Sequence, residues 1–135
     1  MIRFILTICF FSILVDATDF MVQEQMICNI RKDWKYFVRY LEHDYATPND
    51  ILFVTEWVYV NGNSHGPHRV RRFDYREGDG FLDDHYEIEM EVFHTCTRSG
   101  EVWGFDVDLG ELHIGTTFKE LDIAGYVLDN QWNFV

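Results

Sequence analysis

The chain has 135 residues, the length of one domain, and 47% of them are apolar and 17% aromatic, too rich in both for a disordered polymer. Eleven Lys and Arg face 23 Asp and Glu, for a formal net charge of −12. That balance excludes a nucleic-acid binder, which needs a basic surface for phosphate, and simple electrostatic attachment to anionic lipid.

The first residues read as an address. Arg3 supplies a positive start, and Phe4 to Val15 is an apolar run broken only by Thr7 and Ser12. Such a run fits a signal-peptide core and is too short for the roughly 20 residues of a membrane span. Val15-Asp16-Ala17 places modest side chains at the cleavage positions, so residues 1–17 are expected to be removed and residues 18–135 to form the mature domain. No second long apolar run follows, so no transmembrane segment is expected. Cleavage also changes the cysteine count. Cys9 leaves with the leader, and Cys28 and Cys96 remain as an even pair in an oxidising compartment, either a disulfide or two buried thiols. Asn63 is followed by Ser64 and then His65, and no Asn-x-Ser/Thr sequon occurs, so N-glycosylation is not expected.

The mature chain reads as short strands between turns. Met26, Cys28 and Ile30 alternate faintly in Met21 to Ile30. Trp34 to Glu42 sets Trp34, Tyr36, Val38 and Tyr40 on one face and Lys35, Phe37, Arg39 and Leu41 on the other. After the Thr47-Pro48-Asn49-Asp50 turn, Ile51 to Val60 is one β-branched and aromatic strand, ended by hairpin chemistry at Asn61-Gly62-Asn63. His68 to Phe73 is a short basic strand, and Arg76 to Gly80 a loop. Tyr86 to Phe93 alternates Tyr86, Ile88, Met90 and Val92 with Glu87, Glu89 and Glu91, the mark of a half-buried antiparallel strand. Ser99-Gly100 makes a turn, and Val102 to Val107 and Glu111 to Thr116 are two further strands. Leu121 to Leu128 reads as a strand, or as a short helix followed by irregular chain. No segment sustains a 3.6-residue period. About seven short strands at regular spacing predict an all-β antiparallel sandwich. A hairpin through residues 74–85 would bring Arg69, Arg71 and Arg72 beside Glu87, Glu89 and Glu91 as a salt-bridged solvent face. Trp34, Trp57 and Trp103 are expected to pack in or between the sheets, with Trp132 docking back from the tail.

Val92-Phe93-His94-Thr95-Cys96-Thr97 resembles the aromatic-His-x-Cys motif at a strand end in the nematode transthyretin-like family. Val38 to Asp44 is similar to that family's early apolar-x-apolar-x-Glu-x-Asp strand, and Asn49-Asp50-Ile51-Leu52 to its Asp-Asp-x-Leu step. Asn61-Gly62 and the early Cys28 also fit, so the resemblance covers roughly residues 22–123. Two departures mark a divergent member. Asn29 to Asp33 stands where the family has Gly-Lys-Pro, and Arg98, Ser99 and Gly100 stand where many members carry another Cys. The resemblance implies a secreted transthyretin-like β-sandwich with no settled biochemical activity. Some members are similar to bridging proteins between lipid on dying cells and an engulfing cell's receptor; others are associated with signalling or host interaction. Cys28 and Cys96 are expected to pair, tying the first strand to the end of the acidic one.

No enzyme signature stands out. The transthyretin fold is shared with 5-hydroxyisourate hydrolase, which needs two His, an Arg and a C-terminal Tyr-Arg-Gly-Ser; this chain ends Asn130 to Val135 without it. His94 beside a disulfide is expected to pack or to hydrogen-bond locally. His65-Gly66-Pro67-His68 lacks a third zinc ligand, and Asp79 to His85 lacks the ligand spacing of a calcium loop, so no metal or cofactor is expected. The expected function is that of a secreted, non-enzymatic binding protein for an extracellular protein or a lipid surface. The alternative is a carrier of a small apolar ligand in a sandwich or inter-subunit cavity. Candidate contacts are the polar, flexible loop with Asn61, Asn63 and His65 and the acidic loop with Asp79, Asp83 and Asp84.

Overall fold

A computed structural model describes residues 17–43, 48–75, 85–113 and 116–129. Among them run eight strands and no α-helix: β1 (Thr18–Ile27), β2 (Trp34–Glu42), β3 (Asp50–Val54), β4 (Val58–Val60), β5 (Arg69–Tyr75), β6 (His85–His94), β7 (Trp103–His113) and β8 (Phe118–Val127). The strands form a three-stranded sheet, β5-β1-β8, and a five-stranded sheet, β3-β2-β6-β7, with β4 beside the other half of β2. The protein is thus an all-β sandwich, as the spacing of short strands predicts. All pairings are antiparallel except β1 with β8, which is parallel.

The core follows the period of two. Phe20, Val22 and Met26 of β1 point inward, as do Tyr36, Val38 and Tyr40 of β2 and Tyr86, Ile88, Met90 and Val92 of β6. Each such side chain contributes about 1.5–3 kcal/mol by leaving water. Cys28 lies just past β1 and Cys96 just past β6, and their disulfide joins the two sheets covalently.

Several expectations are corrected. The run Ile51 to Val60 is two strands. Thr55 donates its N–H to the Val38 carbonyl, and its own Oγ1 accepts the Val38 N–H, each at 2.9 Å. A hydroxyl thus stands in for a backbone carbonyl, and the ladder with β2 slips there. Conversely, the expected strands Val102 to Val107 and Glu111 to Thr116 are not separate: Trp103 to Val107 and Glu111 to His113 belong to the single strand β7. Gly110, with φ +91°, does not end a strand; it carries the chain through a β-bulge opposite Ile88 and Glu89. Leu121 to Leu128 is strand β8 followed by one 3₁₀ turn, with no helix.

The hairpin expected through residues 74–85 does not form. β5 pairs with β1, and β6 lies in the opposite sheet. The reason is the core: Phe73 stacks on Phe20 and Phe53, and Tyr75 meets Tyr86 edge-on across the interior, so β5 and β6 face each other instead of lying side by side. Of the tryptophans, Trp34 is buried in β2 and gives its Nε1–H to the Asn63 carbonyl. Trp57 lies between β3 and β4, outside any strand, and Trp103 is half exposed at the start of β7. Trp132 lies outside the described residues.

Candidate binding surface

The loop 61–67 links β4 of one sheet to β5 of the other. Asn61, Asn63 and His65 are exposed, and the backbone beneath them is held by hydrogen bonds. Gly62 turns at φ +67° and donates its N–H to Asp33 Oδ1 at 2.9 Å. The Asn63 N–H reaches the Lys32 carbonyl, and Asn63 Oδ1 accepts the His65 N–H. The Ser64 carbonyl accepts the Cys28 N–H at 2.7 Å, and the Gly66 N–H reaches the Met26 carbonyl. Gly66 is itself buried, and a Cβ there would meet the Met26 carbonyl oxygen and the Tyr36 ring at 3.2 Å. Exposed polar side chains therefore sit on a backbone tied to both sheets. Asp79, Asp83 and Asp84 lie outside the described residues.

A second surface comes from the outer face of the five-stranded sheet. Glu87, Glu89 and Glu91 of β6 face outward and are half-buried. Directly opposite them on β7 stand Glu111, Asp108 and Asp106. The bulge makes this alignment. Positions 108 and 111 would otherwise fall on opposite faces, and the extra residue Leu109 brings both carboxylates outward. Three like-charged pairs so confront one another, each destabilising by about 0.2–1 kcal/mol. The β5 arginines expected to neutralise β6 are on the other sheet. On this face, Arg39 of β2 pairs with Glu91, the one salt bridge there among the described residues. Burial, and then the charge of Asp106, raises the Glu89 carboxyl above its ordinary range. His43, Glu87, Ile88, Glu89, Asp108 and Glu111 line a shallow depression of about 230 Å³.

The other half of the face is aromatic. Phe37 stacks on Phe93 at 4.7 Å and meets Trp57 edge-on at 4.6 Å. The Lys35 ammonium lies 4.5 Å over Trp57, and the Arg39 guanidinium 5.1 Å over Phe93. Tyr59, opposite Lys35, is 66% exposed. The outward glutamates were legible in the sequence; their acidic partners on β7 were not, because the bulge breaks the alternation that would reveal them.

Two interior polar groups complete the inventory. Glu24 is fully buried between the sheets. It accepts the Tyr40 hydroxyl at 3.1 Å and the Tyr36 hydroxyl at 3.4 Å, and Arg71 grips it through Nε and Nη2 at 3.1 and 3.2 Å. Burial first, and the Glu24 charge second, push both phenols well above their ordinary range, so they remain donors. With every carboxylate oxygen engaged, this cluster holds the sheets together and offers no free acid or base. Sequence reading missed it, although Glu24 is in phase with Phe20, Val22 and Met26. His94, buried at the end of β6, accepts the Cys96 N–H on Nδ1 at 3.1 Å. It therefore makes the local bond expected of it.

Among the described residues, no group of three or more His, Cys, Asp or Glu side chains converges to hold a metal ion, and no helix is long and apolar enough to cross a membrane. No family model, curated protein or solved structure matches the chain.

Proposed function

We propose that the chain is a secreted, non-enzymatic extracellular binding protein, a divergent relative of the nematode transthyretin-like proteins. The observation that carries this reading is the outer face of the five-stranded sheet. Its carboxylates are spread along two strands instead of converging, and they confront like charges at a cost to stability. A basic partner would relieve that repulsion and be steered toward it, whereas an anionic lipid surface would be repelled. Of the two partner classes, the face favours a protein with a basic patch beside an apolar one, the latter meeting Phe37, Trp57, Phe93 and Tyr59. The loop with Asn61, Asn63 and His65 adds polar contacts on a preorganised backbone, which lowers the entropy cost of association. The acidic loop with Asp79, Asp83 and Asp84 remains a candidate of the same sign.

A surface site is also favoured over an interior carrier cavity. Tyr36, Tyr40, Tyr86, Phe20 and Met26 fill the space between the sheets, and the depression of about 230 Å³ on the acidic face opens to solvent. The test is affinity capture of extracellular partners by the mature protein, with association followed at rising salt. Glu87→Gln/Glu89→Gln/Glu111→Gln is expected to slow association and flatten its salt dependence. Undiminished, equally salt-sensitive capture by that variant excludes the face. A tetramer carrying a co-purifying apolar molecule would instead favour the carrier, and hydrolysis of 5-hydroxyisourate would overturn the non-enzymatic reading.

A further inference from the structure

β7 is the outermost strand of the five-stranded sheet. β6 lies along one side of it, and among the described residues no strand lies along the other. The stretch from Gly104 to Leu112 therefore presents backbone N–H and C=O groups on which a further strand can form. Exposed edges are commonly blunted by Lys or Pro; this one carries neither. Its two faces differ. Inward, Phe105, Val107 and Leu109 pack against the core yet stay half-buried, whereas Val92 and Met90, opposite the first two on β6, are fully buried. The difference is one neighbour: β6 is flanked by β2 and β7, and β7 by β6 alone. Outward, Asp106, Asp108 and Glu111 carry the acidic face to the margin of the sheet. The corresponding edge of the other sheet, β8, is not poised in this way. Its inward Leu121 and Ile123 are already buried, and its outward Glu120 is engaged by Gln23.

We propose that the Gly104–Leu112 edge docks an extended segment of a partner protein, which joins the five-stranded sheet as its next strand and carries alternating basic and apolar side chains. The inference rests on the reading of the acidic face above and gives the form in which the basic partner meets it. Side chains of a strand added beside β7 point alternately outward and inward. The outward ones stand beside Asp106, Asp108 and Glu111, where Lys or Arg relieves the like-charge confrontation with β6. The inward ones cover Phe105, Val107 and Leu109, completing the burial that a neighbouring strand gives β6. Main-chain hydrogen bonds supply affinity, and the alternating side chains supply specificity. A second copy of β7 fits poorly. Antiparallel pairing about Val107 sets Asp106 of each copy beside Asp108 of the other, two repelling pairs on one face. The charges that bar self-pairing are thus the ones that select a basic strand. The bulge sets the reach: alternation is strict from Gly104 to Asp108, so that stretch makes the main contact and Glu111 extends it.

The test uses the oxidised mature protein and two synthetic peptides, each of five Lys and four Val. In one the two residues alternate; in the other the Lys precede the Val, so charge and composition are the same. The alternating peptide is expected to bind about tenfold more tightly and to slow hydrogen exchange at the β7 amides that point away from β6. Equal binding of the two peptides, or binding that leaves those amides unprotected, would overturn strand addition while leaving the acidic face its basic partner. Binding of neither peptide would overturn both readings. In the peptide-free protein the same amides are expected to exchange fast at every concentration. Protection that fades on dilution would assign the edge to a second copy, and protection independent of concentration would assign it to the chain itself; either result overturns the proposal.

Discussion

Glu24 shows how one side chain can be costly and necessary at once. A carboxylate with no exposed surface is tolerable only while Arg71, Tyr36 and Tyr40 hold it. Arg71→Met leaves that charge buried without its counter-ion, and is expected to destabilise the fold by about 3–5 kcal/mol in urea titrations. The double change Glu24→Met/Arg71→Met removes both charges, and its cost should fall well below the sum of the two single changes. Additive costs would show that the pair does not act as a unit. The position was legible in principle, since residues 20, 22, 24 and 26 share one face. What the alternation could not supply was the partner: Arg71 is 47 residues away and belongs to a strand that charge complementarity had set beside β6.

At the level of single strands, β7 turns on Gly110. Nothing lies within 4 Å of a Cβ built there, so Gly110→Ala isolates the backbone cost of φ +91°. That cost is expected to be about 1–2 kcal/mol in thermal or urea melts. Deleting Leu109 should have a different effect. It removes the extra residue, so strict alternation by itself keeps Asp108 and Glu111 on the acidic face, and association with a basic partner should be retained where the fold survives. Gly104 acts by closeness instead. A Cβ there would meet the Phe93 ring at 2.8 Å, so Gly104→Ala must displace the ring that stacks on Phe37 and Arg39. Trp34 to Glu42 and Tyr86 to Phe93 were legible almost to the residue, because in both the inward residues recur at every second position. Ile51 to Val60 and the β7 region were misjudged where a bulge or a hydroxyl substitutes for regular pairing.

For the molecule as a whole, the disulfide is the largest single constraint. It closes a loop with a sequence separation of 68. The chain-entropy account gives roughly 4 kcal/mol for such a loop, a large share of a small domain's stability. Reduction, or Cys28→Ala/Cys96→Ala, should lower stability by about that amount, and a non-reducing peptide map should recover the 28–96 pair. The proposed secretion belongs to the same scale. Thr18, the first residue of β1, pairs with Tyr75 and gives its hydroxyl to the Thr116 carbonyl at 2.7 Å. Cleavage after Ala17 would leave that strand whole, and N-terminal sequencing of secreted protein should begin close to Thr18.

The sequence by itself determined what short-range physics can determine. The period of two in Trp34 to Glu42 and Tyr86 to Phe93 set those strands and their buried faces, and their number and spacing set the all-β sandwich. The tertiary structure alone decided which strands are neighbours. An inward Phe73 or Tyr75 is equally satisfied by an adjacent strand of the same sheet or by the facing sheet, and only the packing of Phe73 on Phe20 and Phe53 places β5 beside β1. That choice sends Arg71 inward to Glu24 and leaves Glu87 and Glu89 without the arginines that charge alone would have assigned to them. Charge complementarity in a sequence has no sense of distance, whereas burial does: aromatic area removed from water outweighs a few tenths of a kilocalorie from each exposed ion pair.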